Sequence, residues 1–142
     1  METVPLAQEL AIVKDYLALE QMRFEERLKV DMEIEEETLY QPIPPMMLQT
    51  LVENAIKHGI SKKMDGGRIK IISQFTNQHH ELIVLNTGRL NGNSAEGMLG
   101  FGLKSTQDRL NLLYQGKANF EIKDTTNGMV ESKIVMPVAT IL

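Results

Sequence analysis

The sequence predicts an α+β fold, a two-layer α/β sandwich in which a mixed sheet of about five strands carries its helices on one face. Three observations predict it: a long apolar stripe at helical spacing near the start, two neighbouring runs of strand character in the middle, and a further helix followed by two strand runs. With 142 residues and 42% hydrophobic content the chain fits one compact unit able to bury a core, so residues 1–142 are expected to form one domain.

From Leu6 the apolar residues Leu10, Val13, Leu17, Phe24 and Leu28 recur at steps of three, four or seven, with charges between them. This is the period of one helical face, and it predicts an amphipathic first helix reaching about residue 28. Because the stripe begins almost at the chain start, part of it is expected to have packed against something upstream. Val30, Met32 and Ile34 then alternate with Asp31 and Glu33, which reads as a short strand. An acidic run and the prolines Pro42, Pro44 and Pro45 break that pattern and predict a loop. Pro45 suits a helix's first turn and Gly59 suits a left-handed stop, so a second helix is expected over residues 45–58.

Residues 68–75 and 81–86 read as two strands of a hairpin, joined by a polar turn over residues 76–80 that includes His79 and His80. Residues 87–99 are rich in Gly, Asn and Ser and are expected to form a mobile lid. Residues 103–114 read as a helix with Leu103, Leu110 and Leu113 available to the core. Phe120 and Ile122, then Val130, Ile134 and Met136, supply two final strands. No internal repeat or linker interrupts this order.

Composition excludes several function classes. The formal charge of −4 and pI near 5.4 come with no basic stripe, so nucleic acid is not an expected ligand. With Cys at 0 there is neither a disulfide framework nor a thiolate metal site, and His58, His79 and His80 do not form a zinc-ligand spacing. No apolar run approaches the roughly 20 residues needed to cross a bilayer, and the first residues do not begin a signal sequence.

Three stretches could carry chemistry. On the second helix Leu48, Leu51, Val52, Ala55 and Ile56 share one side, while Thr50, Asn54, Lys57 and His58 share the other. The Asn54 amide oxygen could ligate Mg²⁺ and Lys57 could neutralise a phosphate, with Glu53 at the flank; the plain alternative is a solvated helix face. Second, residues 97–105 place Gly97, Gly100 and Gly102 just before a helix, a junction that offers free N–H groups to anions. It is not a Walker A loop, since Leu103 stands where Lys must follow the last glycine, and its alternative is a plain turn with a helix cap. Third, Asn86, Thr87 and Gly88 close a strand where a polar side chain could meet a base edge; the alternative is an ordinary strand-to-loop turn.

Together these segments resemble the ATP-binding domain of the LytS-type sensor histidine kinases, within the superfamily shared by gyrase, the heat-shock chaperone ATPases and mismatch-repair MutL. The likeness covers nearly the whole chain. Residues 6–24 look like the helix that follows the phosphoacceptor segment, so residues 1–28 would be the end of a helix linking to a phosphoacceptor domain outside this chain. Residues 43–59 look like the family's N box, the most specific match. The resemblance implies a Bergerat-type ATP-binding fold with ATP and Mg²⁺ as cofactors. It makes Asn54 the Mg²⁺ holder, Glu53 and Asn54 the catalytic residues, and Lys57 and His58 neighbours of the triphosphate. Asn86 and Gly88 would fall in the adenine-binding box. Gly100, Gly102 and Leu103 match the box beneath the lid, and Arg109 with Leu110 matches the family's Arg-Leu. The implied partners are the phosphoacceptor domain and a response regulator, in a homodimeric parent whose membrane-anchored chain keeps this domain in the cytoplasm.

Three positions depart from the family pattern. Asn86 stands where the family usually carries Asp, Met129 follows Gly128 where a Thr is usual, and Thr50 occupies the place of the hydrolytic glutamate of the gyrase-like ATPases. The first two predict weaker adenine binding, and the third argues against an autonomous hydrolase. His58 reads as a pocket wall, and His79 and His80 as solvent-facing bystanders. The competing readings are a hydrolysing ATPase of the same fold, an interaction module whose nucleotide binding is impaired, and a serine kinase of the anti-sigma type.

Overall fold

The computed structural model describes residues 3–60, 66–90 and 101–139, with side chains in the last stretch from Lys104 onward. Strand β1 (Val4–Pro5) leads into helix α1 (Leu6–Phe24), whose apolar period buries Leu6, Leu10, Val13, Leu17 and Phe24. The helix stops because Glu25 turns left-handed at φ 57, and a single 3₁₀ turn then feeds strand β2 (Leu28–Ile34). Leu28 therefore belongs to the strand and not, as its spacing from Phe24 predicts, to the helix. It is 2% exposed and serves the same core from either element, which is why periodicity alone could not separate the two.

Strand β3 (Pro42–Ile43) pairs antiparallel with β1, matching Val4 to Ile43. Neither two-residue strand is legible in a proline-rich stretch, where the ladder tolerates proline only at an edge. The next helix, α2 (Met47–Asn54), starts later than expected: Met46 is left-handed at φ 67, and the Met47 N–H bonds back to the Pro44 carbonyl at 3.3 Å. Pro45 thus shapes a turn before the helix and does not occupy its first turn. Beyond Asn54 the coil widens into a π turn over Ala55–Gly59, closed by the Ile60 N–H on the Ala55 and Ile56 carbonyls. Gly59 is not the left-handed stop that the sequence suggests; its φ is not positive.

Strands β4 (Gly67–Thr76) and β5 (His79–Thr87) form the hairpin, helix α3 (Phe101–Tyr114) follows, and β6 (Asn119–Asp124) and β7 (Met129–Pro137) close the chain. The sheet runs β2-β4-β5-β7-β6, with β2 parallel to β4 and every other pair antiparallel. One face buries Leu28, Ile69, Ile71, Leu82, Val84, Val130, Ile134 and Met136 within the core shared with the helices. The other face is charged: Lys70 reaches Glu33 at 2.8 Å and Asp31 at 3.8 Å, and Lys133 reaches Glu81 at 3.8 Å. The expected two-layer, mixed five-stranded architecture is the observed one. Among the described residues no helix is long and apolar enough to cross a membrane.

The hairpin turn is shorter than expected, because Asn77 and Gln78 both adopt positive φ (50° and 65°) and complete it in two residues. His79 and His80 consequently lie on β5, and His80 is not a solvent-facing bystander but a core residue at 1% exposure. A chain of polar bonds receives it. The Thr38 hydroxyl donates to the Glu35 carbonyl, the Ser73 hydroxyl donates to Thr38 at 2.7 Å, and Ser73 in turn lies 2.7 Å from His80 Nε2. With both hydroxyl protons committed, Nε2 must carry the imidazole proton, leaving Nδ1 a buried acceptor with no partner among the described residues. Burial pushes the His80 pKa down to about 4.

Helix α1 also caps α2. The Glu9 side chain, 2% exposed, accepts from the Gln49 N–H at 3.4 Å, placing an acceptor at the positive end of the helix that carries Asn54.

Two outcomes follow from these contacts. Because His80 stays neutral in the fold to about pH 4 while the unfolded imidazole protonates near 6.5, the unfolded chain binds more protons between those values. Denaturant melts should therefore show stability constant above about pH 6.5 and falling toward pH 4, and His80→Gln should flatten that slope. Glu9→Ala should cost about 1–2 kcal/mol of unfolding free energy by removing the cap, with Glu9→Gln losing less.

Candidate functional site

The polar side of α2 forms because its apolar side is consumed by the core: Leu48, Leu51, Val52, Ala55 and Ile56 are all at or below 2% exposure. That burial orients the remaining face. Asn54, half-buried, donates its Nδ2 to the Thr50 carbonyl at 2.9 Å, so the amide plane is held and Oδ1 is the atom left to meet a ligand. The Thr50 hydroxyl bonds back to the Met46 carbonyl at 2.8 Å, and this side chain offers no base. Glu53 is half-buried and faces the α1 side of the interface. The Tyr16 phenol is pushed up to about 12 by burial first, then by the negative charges of Glu20 and Glu53. Lys57 is exposed and His58 half-buried, both on the π turn, whose widened path changes the angle at which they leave the helix relative to Asn54.

The π turn ends against the end of β5. A Cβ on Gly59 would overlap the Asn86 amide and crowd the Thr87 carbonyl, so glycine is required here by close approach and not by its φ. Asn86 is fully buried; its Nδ2 donates to the Thr87 carbonyl at 3.0 Å, and among the described residues its Oδ1 has no hydrogen-bond partner. A buried amide oxygen without a donor is costly, and such an atom calls for one. Beside it Gly88, at φ 142, lets the chain turn away and donates its N–H to the Gly128 carbonyl at 3.2 Å. Two of the three stretches singled out in the sequence therefore meet at one place.

The strand register revises one departure. Met129 pairs with Thr87, while the residue across from Asn86 is Val130, at 1% exposure. Alternation along β7 sends Met129 to the outer face, so the side chain that shares the inner face with Asn86 is the isopropyl group of Val130 and not a hydroxyl.

The third stretch is described only from the helix onward. Gly97, Gly100 and most of the expected lid lie outside the described residues; Gly102 and Leu103 fall in the first turn of α3. That helix packs against α2, and its Leu110 and Thr106 are buried. Arg109 ties the two together, its guanidinium donating to the Pro45 carbonyl in the turn that starts α2. This bond was not foreseeable, since nothing in the sequence distinguishes a phosphate-binding arginine from one that clasps a backbone carbonyl 64 residues away. Glu9 escaped notice for the same reason. Gly59 did carry a signal, but a glycine after a helix reads as a stop unless its tertiary neighbour is known.

No family model matches the sequence. Among curated relatives, the chain is 45% identical over 78 residues to the sensor histidine kinase BtsS of Escherichia coli K12, covering 55% of this chain and 14% of that protein. It is 31% identical over 140 residues to the sensor protein LytS of Enterococcus faecalis, covering 89% of this chain and 23% of that protein. The chain thus spans under a quarter of these two relatives. Among solved structures, the catalytic domain of the histidine kinase ThkA superposes with a TM-score of 0.69 at 17% identity, covering 96% of both chains. The Acinetobacter baumannii histidine kinase AdeS superposes with a TM-score of 0.70 at 15% identity, covering 99% of this chain and 69% of that one. At such identities the superpositions speak for the fold, and the LytS match speaks for descent along most of the chain. Over 89% of its length the chain is homologous to the LytS sensor histidine kinases, and it has the fold of a histidine kinase catalytic domain.

Proposed function

We propose that this chain, as a single domain, is the ATP-binding catalytic unit of a two-component sensor histidine kinase, positioning Mg-ATP for phosphoryl transfer to a histidine on a phosphoacceptor domain outside it. The observation that carries the reading is the junction of Gly59 and Asn86: a helix that holds Asn54 ends against a strand end that buries an unpartnered amide oxygen. That oxygen fits the exocyclic amino group of adenine, a donor that would satisfy it. Asn54 Oδ1 fits a hard cation, and among the described residues no cluster of acidic or histidine side chains could hold one alone. Phosphate oxygens and water would have to complete the shell, as is usual for Mg²⁺. When bound, the ion neutralises charge on the phosphates, and the protein's task is positioning.

In this reading Lys57 and His58 flank the triphosphate, Gly88 leaves room for the base, and Gly102 and Leu103 offer backbone donors in the first turn of α3, while Gly100, outside the described residues, keeps its nucleotide-binding role by resemblance alone. Glu53 acts beside Asn54. Arg109 contributes by fixing α3 to α2, which sets the distance between the phosphate and metal ends of the site. With the Thr50 hydroxyl turned back on the helix, hydrolysis by this chain is slow. The chain's partners are its phosphoacceptor domain and a response regulator, in a homodimeric parent that holds the domain on the cytoplasmic side of the membrane. A solved structure of ThkA in complex with the response regulator TrrA has the same fold over 96% of this chain.

One observation favours a second reading, an interaction module with weakened nucleotide affinity: the purine end of the site pairs a neutral Asn86 with the apolar Val130. Absence of any thermal shift with millimolar ATP and Mg²⁺ would select it, since ligand binding to the native state raises stability by mass action.

Titration calorimetry with a non-hydrolysable ATP analogue and Mg²⁺ should give a measurable signal that Asn54→Ala weakens by about tenfold or more, the loss of one ion-directed ligand; equal signals would remove Asn54 from the site. Gly59→Ala should abolish the same signal while lowering thermal stability by about 1–3 kcal/mol, because the added methyl displaces Asn86.

A further inference from the structure

The outer face of the sheet carries a second feature that the nucleotide site does not use. A cavity of about 360 Å³ opens there, lined by Lys29, Asp31, Arg68, Lys70, Met129 and the Ile69 segment. Three of those residues are cations and one is an anion, on a chain whose net charge is −4.

The charges on this face divide into two groups. Lys70, Lys123 and Lys133 each have carboxylate partners: Lys70 has Asp31 and Glu33, Lys123 has Glu121 and Glu131, and Lys133 has Glu81. Among the described residues Lys29 and Arg68 have none, and the β2–β4 register sets them side by side. Like charges directly across adjacent strands destabilise a sheet unless an anion lies between them. Asp31, the one carboxylate in the lining, is drawn to Lys70. The Arg68 backbone is itself anchored, its N–H donating to the Thr87 hydroxyl at 3.1 Å. A guanidinium fork and an ammonium on one wall suit the oxygens of a phosphate, and Met129 supplies an apolar, polarizable surface on the side of β7.

We infer that this cavity is a binding site for a small organic phosphate, its phosphate held by Lys29 and Arg68 and its apolar body lying against Met129. The volume is at the lower end of those that enclose small ligands, which fits a compact aryl or alkyl phosphate and excludes a folded partner from its depth. The site stands on the opposite face of the sheet from Asn86, so it does not depend on the proposed nucleotide role. Strand β5 separates the two: Thr87, whose hydroxyl anchors Arg68, follows Asn86 directly.

Phenyl phosphate is the probe. Titrated into the full chain, with amide chemical shifts followed by NMR, it should give saturable shifts in β2 and the start of β4 with a dissociation constant in the millimolar range. Lys29→Gln and Arg68→Gln should each weaken it roughly tenfold, the effect of one charge-assisted bond. Lys133→Gln, a cation already paired on the same face, should leave it unchanged. Because Lys29 and Arg68 are exposed and repel one another, their variants should melt no lower than the parent, separating lost binding from lost folding. The inference is overturned by shifts that do not saturate, by unchanged affinity in the Lys29→Gln, Arg68→Gln double variant, or by shifts confined to α2 and the end of β5. Phenol binding as well as phenyl phosphate would overturn it too.

Discussion

The approach of the Gly59 backbone to the Asn86 side chain is the constraint on which the rest of the site depends. It can exist only because position 59 lacks a Cβ and because the helix widens into a π turn just before it. An α-helical continuation would deliver the chain to a different point over the sheet. The single-turn π bulge is uncommon and recurs where function displaces regular geometry, and here it links the asparagine on the helix to the asparagine on the strand. The packing of Ile56 and Ile60, both buried, holds that turn down on the sheet.

Around this junction the fold arranges a set of clasps that are polar but internal. Glu9 of α1 meets the start of α2, and Arg109 of α3 meets the turn that precedes it. Both reach backbone groups rather than side chains, and both act on the N-terminal end of the same short helix. An eight-residue helix is marginal by its own propensity, so its position is set by tertiary contacts and not by local preference. The consequence for function is that α1 and α3 both bear on where Asn54 sits. At the other end of the sheet the buried chain from Thr38 through Ser73 to His80 satisfies the hydroxyls while leaving Nδ1 bare, a local cost accepted within an otherwise apolar layer.

The end of β5 shows how register alters the meaning of a residue. Read along the chain, Met129 occupies the place of a hydroxyl; read across the sheet, Val130 does, because the pairing of Asn86 fixes which β7 side chains share its face. The neutral amide of Asn86 spends its nitrogen on the Thr87 carbonyl, which leaves an acceptor of the same polarity as the family's carboxylate but without its charge. The outer face of the same strands is organised differently, by ion pairs along its middle rows and by two cations at its edge row that have no carboxylate partner among the described residues.

The sequence by itself determined the order of the long helices and of the five strands of the main sheet, and the mixed two-layer sandwich, because periods of 3.6 and 2 are set by local backbone geometry and apolar side chains must be covered. It also marked Asn54, Asn86 and Gly59 as unusual by their company. What it left open was everything carried by distant neighbours. Leu28 passed from helix to strand, the five-residue turn shrank to two, and His80 moved from solvent to core, since a positive φ at Asn77 and Gln78 is a property of the closed hairpin. Gly59 changed from a helix stop to a contact surface, Arg109 gained a backbone partner in the turn before α2, and Val130 replaced Met129 across from Asn86. Each of these was decided by tertiary structure for one reason: a close approach between residues far apart in the chain leaves no periodic trace in it.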